Sequence, residues 1–204
     1  MALLSEDEKK RIAQSIQNAE SRTAGELVVV TTHQSDDYAA RRALISAALV
    51  VAIASEVFWQ FPELSPWLVF LGQVPLGFAL YALFGTGVLL RLVVPGRLLL
   101  ERVDARARRA LVETGVLRTR ERSGILIFLS EKERSVEILA DEGIHARVDD
   151  GEWQRDVDDL VRAVRANRAA DGVLALIDRL GGILAEKFPA EGTPNELPDQ
   201  VREI

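Results

Sequence analysis

The 204 residues contain no cysteine, which excludes disulfides, thiolate metal sites and cysteine nucleophiles and fits a reducing compartment. Histidine is scarce: His33 and His145 lie too far apart in sequence to suggest a metal pair, neither falls in a zinc-binding pattern, and each reads as a loop residue. A glycine-rich phosphate loop, a nucleophile elbow and a His-Glu-x-x-His pattern are all missing, and no internal repeat is apparent. Met1-Ala2-Leu3-Leu4, followed by Ser5-Glu6-Asp7-Glu8, lacks a cationic stretch and a short apolar core, so no cleaved leader is expected. A net charge of −6 argues against nucleic-acid binding across the whole surface.

Charge is also missing from the middle of the chain. Between Arg42 and Glu63 the only ionised side chain is Glu56, and from Leu64 to Leu90 there is none. A helix needs about 20 mostly apolar residues to cross roughly 30 Å of hydrocarbon, and each run is that long. The spacing predicts a helical hairpin over residues 39–96. Its tip, Phe58-Trp59-Gln60-Phe61-Pro62-Glu63-Leu64-Ser65-Pro66-Trp67, crowds aromatic rings around turn-favouring prolines, with Trp59 and Trp67 as the interfacial belt. The tip has neither Lys nor Arg, whereas Arg41 and Arg42 precede the first run and Arg91 and Arg97 end or follow the second. By the positive-inside rule both polar ends of the chain are expected in the cytoplasm. A soluble chain of this length would instead have to bury two helices that are apolar all round.

The remaining segments, residues 1–38 and 97–188, have the size of one modest domain if they fold together. Ser5 and Glu8 form a capping box for a first helix whose apolar stripe is Leu4, Ile12 and Ile16 and which should end near Gly25. Glu26 to Thr32 is apolar at consecutive positions, as in a strand covered on both faces. A hairpin returns the chain to the side it left, so the segment after Pro95 can rejoin that strand. Leu98 to Thr114 reads as a helix with a basic face, stopped by Gly115. Gly124–Ser130 and Ser135–Asp141 read as two further strands, antiparallel because Glu131-Lys132-Glu133-Arg134 between them is short. Asp149 and Asp150 suit a helix start with Trp153, Val157, Leu160, Val161 and Val164 as its buried stripe. Asp171 is expected to cap a last helix with the stripe Val173, Ile177, Leu180, Leu184 and Phe188, and residues 189–204, rich in proline, glycine and acid, are expected to fray.

Ser123-Gly124-Ile125-Leu126-Ile127-Phe128-Leu129-Ser130, followed by Arg134-Ser135-Val136-Glu137-Ile138-Leu139-Ala140-Asp141-Glu142-Gly143-Ile144, resembles the TPM domain family, as does the upstream Thr23-Ala24-Gly25-Glu26-Leu27-Val28-Val29-Val30. Within that family the chain is most similar to bacterial membrane proteins in which two spans interrupt the domain after its first strand. The resemblance implies a TPM-type α/β/α fold: a small mixed sheet of three to four strands, flanked by helices and interrupted by the hairpin. Many relatives have Asp-Asn-Gly before the second strand and Gly-Tyr-Gly-Leu-Glu after the third. Here the first is Arg122-Ser123-Gly124 and the second Asp141-Glu142-Gly143-Ile144-His145, so Gly124, Gly143 and Ile144 match while the acid and the first glycine do not.

Some family members are described as acid phosphatases or calcium binders, and an oxygen-only cation site needs several converging carboxylates. The candidate ligands for calcium or magnesium are Glu26, Asp141, Glu142 and Asp150; no cofactor is firmly implied. The same acids also suit caps and solvated strand edges. The expected protein is a bacterial inner-membrane tether for a cytoplasmic TPM-type domain, an accessory or quality-control factor whose partners are the bilayer and another membrane protein. A metal-dependent phosphatase is the enzyme alternative. A transport-associated subunit, drawing on Glu56 within the first span, is the third.

Overall fold

The computed structural model describes residues 3–148, 150–190 and 195–204, save the side chains of residues 88 and 150–154. Its residues fall into two compact units, 1–35 with 101–204, and 36–100.

The first unit is built on a sheet of strands β1 (Glu26–Thr32), β2 (Gly124–Ser130), β3 (Ser135–Ala140) and β4 (Arg202–Glu203), in the order β3-β2-β1-β4. β1 pairs parallel with β2 along its whole length, and β2 pairs antiparallel with β3, as the short loop between them requires. Every residue of β1 and β2 is buried, because alternate side chains enter two different cores. On one face Leu27, Val29, Ile125, Ile127 and Leu129 meet α1 (Glu6–Glu20), α7 (Asp150–Arg165) and α8 (Ala169–Lys187). On the other, Val28, Val30, Leu126 and Phe128 pack with Val103, Ala107 and Ala110 of α5 (Gly96–Glu113). The architecture is therefore a mixed four-stranded α/β fold with helices on both faces.

Ser5 and Glu8 form the expected capping box at the start of α1, but the helix stops at Glu20. Thr23 and Ala24 turn aside to receive the last turn of α8, both donating to Phe188 O, so that residues 21–25 are spent on a turn. The stripe of α8 is buried from Val173 to Phe188. Asp171 lies inside the first turn of that helix, whose N-cap position is held by Arg168. Leu160 and Val164 of α7 are buried; Asp149 and the side chains of Asp150 and Trp153 lie outside the described residues.

Within the tail, Arg202–Ile204 depart from the expectation that residues 189–204 fray. Arg202 and Glu203 extend the sheet parallel to β1, and Ile204 N donates to Thr31 O. Lys9 pairs with Glu203, and Arg202 donates to Thr114 O. The free edge of β1 supplies what the tail's composition lacks: backbone partners beside a buried strand.

In the second unit, α2 (Ala39–Gln60) and α3 (Pro66–Leu83) pack on each other along their length. At 1.5 Å per residue they extend about 33 Å and about 27 Å. The second apolar run does not continue as one helix to Leu90: it breaks at Phe84–Thr86 and resumes as α4 (Gly87–Val93). Gly85 lies at the break against the Arg42 guanidinium; a Cβ there would meet it at 2.4 Å and Ala82 O at 3.0 Å. Arg42 stacks over the Tyr81 ring at 4.1 Å and donates to Tyr81 O at 2.7 Å, so its charge satisfies a carbonyl at the negative end of α3. Arg41 donates to Val93 O, and Tyr38, Leu90, Val93, Val94 and Leu99 form a small core at this base.

Two glycines are fixed by close approach of backbone. A Cβ on Gly124 would sit 2.5 Å from Val116 O, and one on Gly143 would sit 2.4 Å from Glu121 O and 2.7 Å from Arg122 O. None of these carbonyls belongs to a side chain that could swing away. Gly143→Ala should destabilise the domain by about 1–3 kcal/mol, read as a lowered unfolding midpoint in denaturant.

Candidate functional site

Parallel β1 and β2 begin at one end of the sheet, and antiparallel β3 finishes there. Glu26 opens β1 opposite Gly124, and Asp141 N donates to Gly124 O at the end of β3, so both candidate acids stand at this amino end. Open α/β sheets place ligands at the carboxyl end. Glu26 and Asp141 stand at the opposite edge.

Each acid already has work there. Glu26 is only 5% exposed, and its two oxygens accept from Glu196 N at 2.8 Å and Leu197 N at 3.2 Å, holding the tail against the strand. Burial pushes its pKa up, the two backbone donors oppose this, and the nearby Glu196 and Asp199 push the same way as burial. Asp141 caps the short helix α6 (Glu142–His145) by accepting from Glu142 N at 2.7 Å. It also accepts from Arg122 Nε at 2.9 Å, and Arg122, at φ 54°, holds its guanidinium within 3.5 Å of Glu142 as well. Glu142 otherwise points outward, and Asp150's side chain is outside the described residues. Calcium or magnesium would need several oxygens converging on one open point. Glu26 spends both oxygens on backbone N–H groups; Asp141 spends Oδ1 on Glu142 N and Arg122 Nε, while its buried Oδ2 makes no hydrogen bond but lies 2.9 Å from the Arg122 guanidinium, so these two residues leave no open set of oxygens for such an ion. Among the described residues no group of three or more His, Asp or Glu is arranged to hold a metal.

The matched residues Gly124, Gly143 and Ile144 likewise do structural work: the glycines let backbones cross, and Ile144 is buried in the core. His145 lies beyond β3 at the amino end, whereas His33 lies just beyond β1 at the carboxyl end, where Nδ1 is 3.1 Å from Glu131. A seven-residue strand, about 20 Å, separates the two ends.

Sequence reasoning passed over two carboxylates. Glu133, in the loop read as charged and short, is 2% exposed; it accepts from Ser130 Oγ at 2.5 Å and from Ser35 N at 3.1 Å. Ser35 Oγ reaches Ser130 Oγ at 2.9 Å, so a buried polar cluster pins the chain where it leaves the domain. The Ser-x-x-Glu spacing of Ser130 and Glu133, the same as in the capping box at Ser5, was the available signal. Glu20 is the other. Its Oε1 accepts from Leu27 N at 2.8 Å and its Oε2 from Asn195. Burial pushes its pKa up to about 9; the Leu27 N–H opposes this, while Glu26 and Asp199 add to it.

In the hairpin, Trp59 and Trp67 flank the tip and are 82% and 73% exposed. Arg41 and Arg42 lie in the first turn of α2, Arg91 in the last turn of α4 and Arg97 at the start of α5. Glu56, one turn before the tip, accepts from Gln60 at 2.9 Å.

A protonated Glu20 gives a signed pH dependence. Between its ordinary value of 4.5 and about 9 the folded chain holds a proton that the unfolded chain has released. The folded state then binds more protons, so this group's contribution to stability is complete below about 4.5 and is lost as pH rises toward 9. Glu20→Gln, neutral throughout, should remove that slope: its denaturation midpoints at about pH 5.5 and about pH 8.5 should lie closer together than those of the unaltered chain.

Residues 86–183 match the family model described as TPM domain, a stretch running from the break before α4 into α8 that leaves α1 and β1 outside. No curated protein matches the chain. Among solved structures, the NMR structure of BA42 protein from the psychrophilic bacterium Bizionia argentinensis sp. nov. is similar, with a TM-score of 0.63 and 18% identity, covering 100% of this chain and 97% of that one. At that identity the likeness speaks for the α/β fold alone, and the similarity to a TPM domain rests on the match over residues 86–183.

Proposed function

We propose that the chain is an inner-membrane protein whose hairpin spans the bilayer twice and tethers a cytoplasmic TPM-type domain, and that it acts as an accessory or quality-control factor for a membrane complex. One observation carries the membrane part. α2 and α3 are long and apolar enough to cross a bilayer, yet only 11% and 0% of their apolar windows are buried. The core helices of a soluble protein would be covered, whereas these present Leu68, Phe70, Leu71 and Phe78 outward. Exposed apolar surface of this extent calls for a non-aqueous neighbour. The arginines at the base and the bare tip support cytoplasmic termini. The accessory role is supported by the engaged state of Glu26, Asp141 and Glu133, whose oxygens hold backbone, a serine hydroxyl and a guanidinium. Glu56 is near the tip and already paired with Gln60, which gives a transport path little to build on.

Absence of natural cysteine makes the topology directly testable. In intact spheroplasts a membrane-impermeant maleimide should label Ser65→Cys at the tip, and should label Asp178→Cys on α8 only after permeabilisation. Labelling of Asp178→Cys in intact spheroplasts, or a protein that stays in solution without detergent, would overturn the assignment.

A phosphatase reading is favoured by the resemblance to the TPM domain family, some of whose members are described as acid phosphatases. Asp141 separates the two. If it is a cap, Asp141→Ala costs about 1–2 kcal/mol of stability and leaves any turnover of a generic phosphate ester with calcium or magnesium unchanged. Loss of turnover in a variant that still folds would favour the enzyme.

A further inference from the structure

The sheet has two edges, and the chain closes one of them. β4 lies along the β1 side, whereas β3 ends the other side, with no strand beyond it among the described residues. Asp141 and Gly124 stand opposite each other and are bonded, Asp141 N to Gly124 O. Antiparallel ladders alternate, so Leu139, Glu137 and Ser135 also turn their backbone groups to β2, while Val136, Ile138 and Ala140 turn theirs outward. Natural sheets guard such an edge with proline, lysine or a bulge. β3 has none of these: its pairing with β2 runs unbroken over all 6 residues, and its one charged side chain is Glu137. Every residue of β1 and β2 is buried, but in β3 only Val136 is, which leaves Ile138 and Leu139 half-covered. A further strand beside β3 supplies what both the backbone and these side chains lack.

We propose that this strand is β3 of a second copy of the chain, laid antiparallel about a two-fold axis through Ile138. Charge complementarity selects both the partner and the register. The chain enters β3 from Arg134, which is exposed, and leaves it through Glu142, whose side chain is 87% exposed. These opposite charges lie equally far from Ile138, four residues before it and four after. With Ile138 opposite its own copy, Arg134 of each chain therefore falls beside Glu142 of the other, and one attraction is made twice. Glu142 already has Arg122 Nη2 at 3.5 Å and then sits between two guanidinium groups. Val136 meets Ala140 in the same register, so outward-turned groups face outward-turned groups and form about six hydrogen bonds. The adjacent registers lose this match. Centring on Glu137 sets that carboxylate against its own copy, and centring on Leu139 carries Arg134 past Glu142 to Ile144. The product is one continuous sheet of twice the width. Only residues of the first unit take part, so the pairing stands independently of the membrane reading.

The test uses the full chain, which has no natural cysteine. In detergent solution the unaltered chain should carry a protein mass of twice 22.5 kDa, a reading that needs no substitution. Mild oxidation of unfractionated lysate should link Ile138→Cys to itself, because bonded antiparallel pairs hold their Cα atoms about 5.5 Å apart, within disulfide reach. Glu137→Cys, one residue away, and Asp178→Cys, exposed on α8, should give about tenfold less adduct. In the Ile138→Cys chain, Arg134→Glu and Glu142→Arg should each lower the adduct about tenfold, and the two together should restore it, which a folding defect would not do. A single-copy mass for the unaltered chain, no adduct at Ile138→Cys, equal adduct at Glu137→Cys, an adduct of another mass, or no restoration by the double reversal overturns the pairing.

Discussion

Strand β1 is stable only when four surfaces are covered together: two faces by separate helical cores, one edge by β2, the other by the tail. Its residues are apolar in sequence order, without the alternation that would let one face meet water. Every other element of the domain answers one of these demands. α1, α7 and α8 close one face, α5 closes the other, β2 supplies a seven-residue parallel ladder, and residues 195–204 finish the outer edge. Residues 36–100 form a separate unit between β1 and the rest, so the chain leaves the domain after Ser35 and re-enters at Glu101.

The buried acids arise from the same demand. Covering an edge of β1 with a tail of poor strand composition leaves few backbone pairs, and carboxylates make up the difference: Glu26 takes two N–H groups of the tail, and Glu20 takes Leu27 N. Burial of several carboxyl groups together is costly when all are ionised, and the raised pKa values of Glu20 and Glu26 express that cost. Glu133 does comparable work at the exit, where Ser35 is held by a backbone and a hydroxyl contact. Acids in this domain serve as clamps on the backbone, which is why the proposed ligands are scattered among structural tasks.

Much of this was legible. Consecutive apolar residues at Glu26–Thr32 and Gly124–Ser130 announced strands buried on both faces, and the short loop at Glu131–Arg134 fixed the antiparallel pair. The capping box at Ser5 and the glycine stop at Gly115, with φ 81°, were local signals with local outcomes. What sequence could not give was long-range partnership. Nothing near Pro189–Ile204 says that an edge of β1 is vacant, and nothing near Glu20 says that Asp199 will lie beside it. The end of α1 at Glu20 depends on Phe188, more than 160 residues away. The break at Phe84–Thr86 has no proline to announce it, and Asp171 misses the cap position because helix α8 starts two residues earlier, at Ala169, with Ala169 and Ala170 both buried.

Parallel pairing of β1 with β2 also sets an order of events at the ribosome. Gly124 comes after Thr32 by about 90 residues, and at roughly 5–20 residues per second that is a delay on the order of 5–20 seconds. Throughout it, a strand made of Leu27, Val28, Val29 and Val30 has been synthesised while its ladder has not. An apolar segment waiting that long for its neighbour is prone to sticking elsewhere. The nascent chain is therefore at its most vulnerable between the emergence of β1 and that of β2, and any attending chaperone has that interval in which to act.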